Sequence, residues 1–432
     1  MSTIPIYLLS AVPHFMDLLK NDNKEKAVDD SLKITVRESY TKNNQRYRVF
    51  RYDKNFLSND LIPTYGLLRS VIANNKNEIV CFAPPKSMPA DIFIRVYPNP
   101  NPNQTQESDV NVNVNSIIAE EFIEGTMINV FWDSSIGING AWEVATRSAV
   151  GAEVSFYKTK TSKTFKQMFL EAVKENGLVL DVLNKNLCYS FVLQHPENRI
   201  VVPFKTPQLY LVAVYEIRCI EGSYQVANLD MDVVKAYGAW DQTSIKFPQI
   251  YTGWSTYSDL IEKYASSNSP YDILGVVIKS KATQDRCKIR NPIYEEVRNL
   301  RGNQPKVQYQ YLQLRNSGRL PSFLKYYPEY KKEFSATRER LHFFTDSLFQ
   351  NYISCYIKKE KPLAEFPGHF RPHMFKIHEM YKNELKDKGL YVTNTVVQGY
   401  VNNLHPSQQM FAMNYNMRKR NIDIIKNDQN DV

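Results

Sequence analysis

The periodicity of the chain changes once, near residue 306, and that change limits what it can fold into. Between residues 78 and 279, the segments 127–132, 144–150, 187–193, 199–204, 209–218 and 273–279 are short. Each is rich in β-branched and aromatic residues, which predicts strands. Phe165, Met168, Phe169, Ala172 and Val173 recur at helical spacing among them, with Gly177 placed as a C-terminal cap. Leu260, Ile261 and Tyr264 predict a second, shorter helix. Beyond residue 306 the helical period takes over. Phe334, Leu341, Phe344, Leu348, Tyr352 and Cys355 follow it, as do Met374, Ile377, Tyr381 and Leu385, and 392–404 reads as a third helix. The pattern predicts an α+β domain over 1–304 and a mainly helical C-terminal domain over 305–432.

The 432 residues suffice for two or three domains at roughly 150 residues each. Residues 98–115, rich in Pro and Asn, carry no core pattern and predict a loop, because they bury too little to offset their ordering entropy. Residues 21–30 read as a shorter polar connection, and there is no internal repeat. No apolar run reaches the ~18 residues of a membrane span. The apolar opening, residues 4–12, is short and lacks preceding basic residues, so a signal peptide is not expected. Five scattered cysteines with no CxxC pair fit a reducing compartment. An intracellular, cytoplasmic protein without membrane association is expected.

Lys and Arg total 54 against 45 acids, a net charge of +9, which favours an anionic partner. The excess is concentrated. Residues 279–319 hold ten basic and three acidic residues, with Tyr294, Tyr309 and Tyr311 interleaved. That mixture suits phosphate contacts with base stacking, and Arg298, Arg301 and Lys306 are the expected nucleic-acid contacts. Only 15 glycines are present, and no Walker A, dinucleotide fingerprint, HExxH or nucleophile elbow occurs. His369, His373 and His378 are close in sequence, but their spacing matches no zinc arrangement and Pro372 interrupts it. No metal site is expected there.

The order of several segments resembles the phage-type RNA ligase family, ATP-dependent covalent nucleotidyltransferases. Glu124-Gly125-Thr126 heads an apolar strand and is followed by WEVATRSAVGA, FVLQHPENRIVVPF, LGVVIKSK and CKIRNPIY. The likeness covers roughly residues 65–301, and the helical C-terminal region looks more like homologues in large DNA viruses. It implies a nucleotidyltransferase-like antiparallel sheet core, RNA as partner, and ATP with Mg as cofactors. In such ligases the first motif is Lys-x-Asp-Gly, whose lysine attacks the α-phosphate. Here Phe122 stands at the lysine position, with Glu124 and Gly125 at the other two.

Two carboxylates expected from the resemblance are also replaced, by Val192 and by Leu274. The cations persist. Lys288 and Arg290 match the last motif, Lys86 in FAPPKS matches a lysine that approaches the ATP phosphates, and Arg147 falls in a motif bordering the nucleotide pocket. Glu124, Gly125, Arg147, Lys288 and Arg290 are therefore the expected nucleotide-binding residues. The expected function is RNA or nucleotide-phosphate binding with adenylylation lost. A second reading is an active ligase using a relocated lysine, with Lys86 as catalytic candidate. A third is a structural viral protein that reuses the fold.

Overall fold

The computed structural model describes residues 5–20, 33–98, 117–156 and 162–415. Apart from Pro98, the expected loop over 98–115 lies outside the described residues, as does the polar stretch 21–30. The chain divides into two compact units, Met1–Arg298 and Asn299–Val432. The architecture is α+β: antiparallel sheets with interspersed helices, then a helical C-terminal region.

Three sheets build the first unit. The largest has six strands, in the order β1 (Ile6–Leu8), β11 (Ser223–Asn228), β10 (Gln208–Ile220), β9 (Leu187–Gln194), β7 (Thr126–Asp133) and β8 (Ala141–Ala145). A second runs β2 (Ile34–Tyr40), β3 (Arg46–Tyr52), β4 (Val71–Ala73) and β5 (Ile79–Phe82). The third runs β12 (Ile250–Tyr251), β6 (Ile117–Glu121), β13 (Gly275–Ser280) and β14 (Arg286–Arg290). All the pairings between these strands are antiparallel.

Successive side chains of a strand point to opposite faces, and both faces of the six-stranded sheet are covered. Phe131, Cys188, Ala213 and Tyr215 pack with Phe50, Val71 and Phe82 of the β2–β5 sheet. Ile128, Val130, Phe191 and Val214 pack instead with Met168, Phe169 and Ala172. Double burial explains why β7, β9 and β10 read as near-continuous apolar runs. The helices of this unit are α1 (Phe15–Lys20), α2 (Ala90–Val96), α3 (Phe165–Glu175), α4 (Met231–Lys235) and α5 (Tyr257–Tyr264). A capping box between Thr164 and Gln167 starts α3, and Gly177 follows its end at φ +67°.

Two expected strands differ. Residues 199–204 do not join a sheet; they leave the short turn Pro196–Asn198, and the amides of Val201 and Val202 donate to the Glu124 carboxylate rather than to a ladder. The strand expected over 144–150 stops at Ala145, and the chain turns back so that Val150 bridges to Ala145.

Helix α6 (Pro292–Arg301) leads into the second unit, which holds α7 (Val307–Asn316), α8 (Leu320–Tyr326), α9 (Lys331–Tyr352), α10 (Arg371–Met380) and α11 (Asn394–Asn403). Phe334, Leu341, Phe344, Leu348 and Tyr352 are the buried side of α9. Two histidines of this unit engage tyrosines: His373 Nδ1 lies 2.8 Å from the Tyr400 hydroxyl, and His378 stacks on Tyr356 at 3.9 Å. Among the described residues, no helix is long and apolar enough to cross a membrane.

Candidate functional site

Strand alternation in the third sheet places the site. Ala119, Val276, Ile278 and Cys287 face α2 and α5, against Phe93, Tyr97, Tyr257 and Leu260. The opposite parity therefore puts Arg286, Lys288 and Arg290 of β14 on the other face, together with Glu120 and Lys279. Phe122 follows β6 directly. Lys288 Nζ lies 4.7 Å from the centroid of the Phe122 ring, and the Arg290 guanidinium carbon lies 5.7 Å from it. Phe122 is thus an aromatic floor beneath these two side chains.

More cations surround them. Lys86, Arg69, Arg286 and Arg290 are all near enough to Lys288 for their charges to disfavour its own. Burial first, and then these four cations, bring the Lys288 amine down to about 6. A cation over an aromatic ring gains about 0.5–2 kcal/mol, which opposes that shift and is outweighed by it. Lys86 is lowered for the same reasons, burial first and then Arg69, Arg290 and Arg286. Arg69 is brought down to about 10, chiefly by burial and by Arg286. Burial first, and then mutual repulsion, thus act on the whole cluster of cations.

The remaining candidates have separate tasks. Lys86 follows β5; its amide donates to the Gly66 carbonyl at 2.9 Å and its Nζ to the Ser87 carbonyl at 3.1 Å. Arg147, in the turn after β8, lies over the Tyr52 ring at 5.4 Å and contributes to lowering Arg69. Glu124 is buried, and its carboxylate accepts from Val201 N at 2.9 Å and Val202 N at 3.1 Å. Burial raises this carboxyl, while those amides and the Tyr294 hydroxyl pull it back down. Gly125 has φ +152°, and a Cβ there would meet the Leu193 carbonyl oxygen at 2.5 Å. Glu124 and Gly125 therefore shape the entry to β7 and fix the 200–202 segment against it.

The basic stretch does not form one face. Lys279 pairs with Glu120 at 2.7 Å and Lys281 with Asp232 at 2.8 Å. Arg290 and Arg298 both reach Glu295, at 3.1 and 3.2 Å. Arg301 is only 9% exposed, and Lys306 precedes the first turn of α7. The acids that neutralise Lys279 and Lys281 come from remote parts of the sequence, so the local charge excess overstates the free charge. Arg69 and Arg286, by contrast, were not among the expected site residues. Arg286 shares the period-two spacing of Lys288 and Arg290, which could have revealed it; Arg69 carries no such signal.

A cavity of about 600 Å³ adjoins the cations, with Lys86, Arg286, Tyr7, Tyr215 and Glu120 among its walls. Phe122, Lys288 and Arg290 lie outside its lining. The residues do not fit a divalent ion held by protein groups alone. Val192 and Leu274 stand where carboxylates were expected and Glu124 is bound to backbone amides. Among the described residues no group of three His, Cys, Asp or Glu side chains could hold one.

The chain resembles phage and viral-type RNA ligases in sequence. It is 23% identical to an RNA ligase of Rhodothermus phage RM378 over 205 residues, 42% of this chain and 45% of that protein. It is 25% identical to an immediate-early protein ICP-46 homolog of Invertebrate iridescent virus 6 over 284 residues, 61% of this chain and 58% of that one. The matches thus span about half the length of these relatives. No protein-family model matches. Among solved structures, Naegleria gruberi RNA ligase with pyrophosphate aligns over 61% of this chain and 97% of that one, at 12% identity and a TM-score of 0.29. A mutant of that ligase with ATP and Mn aligns over 42% of this chain and 51% of that one, at 16% identity and a TM-score of 0.30.

Proposed function

We propose that this chain is an RNA-ligase-like protein that binds the phosphates of a nucleotide or of RNA at the cations around Phe122. Transfer through residue 122 itself is closed, because a phenyl ring offers no lone pair to phosphorus. The carrying observation is the stacking of Lys288 and Arg290 on that ring, with Lys86, Arg69 and Arg286 close by. Similarity to a phage RNA ligase supports nucleotide and RNA as the ligand classes. ATP is the nucleotide proposed, and a divalent ion such as Mg would arrive held by its phosphates.

Equilibrium dialysis with ATP tests the reading. Binding that weakens at least tenfold in Arg69→Ala and in Arg290→Ala supports it, provided circular dichroism shows both variants folded. Equal binding by wild type and both variants overturns it.

A further inference from the structure

We propose that Lys288 is the nucleophile of this site, accepting a nucleotidyl group from a nucleoside triphosphate onto Nζ. The inference rests on the phosphate-binding reading above and deepens it by naming the reacting atom. Its first support is positional. Strand β13 pairs with β6 on one side and β14 on the other, and Phe122 leaves the end of β6. A lysine on β14 thus reaches over the point from which a lysine at residue 122 would have projected. The observed 4.7 Å separation between Nζ and the ring realises that reach.

The second support is electrostatic. Phosphoramidate formation needs a neutral amine, since an ammonium has no lone pair. Among the described residues no carboxylate pairs with Lys288, and the charged groups acting on it are Arg286, Arg69, Arg290 and Lys86. An amine near 6 is mostly unprotonated at pH 7. Arg69, Arg286 and Lys86 offset the charge of the incoming phosphates, while Arg290 is already paired with Glu295 at 3.1 Å. Lys288 also keeps part of its surface accessible, so a ligand can reach it.

Lys86 fits the role less well. Its Nζ donates to the carbonyl of its own neighbour Ser87 at 3.1 Å, which aims it along the backbone. It sits among the walls of the adjoining cavity, suited to holding leaving phosphates. In the proposed step the Nζ lone pair attacks the α-phosphorus and a P–N bond forms. The bond from that phosphorus to the oxygen bridging the α and β phosphates breaks. Its electron pair leaves with pyrophosphate, and the amine proton passes to solvent.

The test incubates full-length wild-type protein with α-labelled ATP and, separately, GTP, with and without Mn, followed by denaturing electrophoresis. Peptide mass mapping of the unlabelled reaction locates the adduct without any variant. Expected are an acid-labile, base-stable label mapped to Lys288 and lost at least a hundredfold in Lys288→Arg. An adduct on Lys86 or elsewhere overturns the inference. Dialysis with ATP on the same wild-type sample separates two failures. Bound nucleotide without label overturns the Lys288 assignment and leaves phosphate binding standing. No bound nucleotide overturns the phosphate-binding reading itself.

Discussion

The carboxylate of Glu124 accepts the amides of both Val201 and Val202, so one buried side chain ties the start of β7 to the segment that follows β9. The link explains why residues 199–204, apolar and β-branched, stay out of the sheets. Glu124→Gln keeps one acceptor oxygen and turns an amide nitrogen toward these donors. Leaving a buried donor unsatisfied costs about 1–3 kcal/mol. Urea unfolding should show a midpoint lowered accordingly, with an unchanged m-value; an unchanged midpoint would show that the amides find other partners.

The Lys288 amine gives stability a defined pH dependence. Its folded value, about 6, lies below the roughly 10.4 of an unfolded chain. Between those limits the unfolded state binds the extra proton, so stability rises with pH by at most about 1.4 kcal/mol per unit. The contribution is fully present above the unfolded value and is lost as pH falls toward 6. Lys288→Met should therefore melt higher than wild type at pH 6–7, and the gap should narrow as pH approaches 10. Parallel melting curves across that range, or a gap that widens, would contradict the depressed amine.

Gly125 has a conformation that L side chains rarely adopt, and the site for a Cβ is already occupied by the Leu193 carbonyl oxygen and a Val192 methyl. Gly125→Ala adds strain of about 1–3 kcal/mol before the collision is counted. Thermal unfolding should shift down by several degrees. Nucleotide binding per folded molecule should fall too, because the displaced turn carries Phe122. A variant as stable as wild type would mean the turn has slack that the structure does not show.

For RNA, the exposed Arg298 and Lys306 are the testable cations, while Arg301 is mostly buried. Replacing both Arg298 and Lys306 by Ala should reduce the slope of log affinity against log salt by about 1–2, since up to two phosphate contacts are lost. Arg301→Ala should lower stability rather than that slope. Filter binding across a salt series distinguishes the two. An unchanged slope in the double variant would remove residues 298–306 from the RNA contact.

What the sequence made legible follows burial. Strands β7, β9 and β10 are buried on both faces and stand out as β-branched and aromatic runs. Strands β2 and β3 were missed because Arg37, Glu38, Arg46, Arg48 and Arg51 interrupt their pattern. The fold accommodates Arg48 by giving it the Leu18 carbonyl and the Asn77 side chain as acceptors. Lys288 and Arg290 were singled out through resemblance alone, and the structure places both over the Phe122 ring. Arg69 was not, because it sits in a connecting segment and only the packing of three sheets brings it near β14.

A pocket that gathers like charges behaves as an electrostatic spring, held compressed by the surrounding core until counter-charge arrives. On the proposed reading, an anion that settles among Arg69, Lys86, Arg286 and Arg290 relaxes that repulsion in the folded protein alone. At a hundredfold excess over its dissociation constant, such an anion raises folding free energy by about 2.7 kcal/mol. The thermal midpoint of this chain is therefore a joint property of protein and buffer. Phosphate or sulfate should read higher than an amine-chloride buffer at matched ionic strength, and polyanions from the host cell should accompany the protein through its first purification steps.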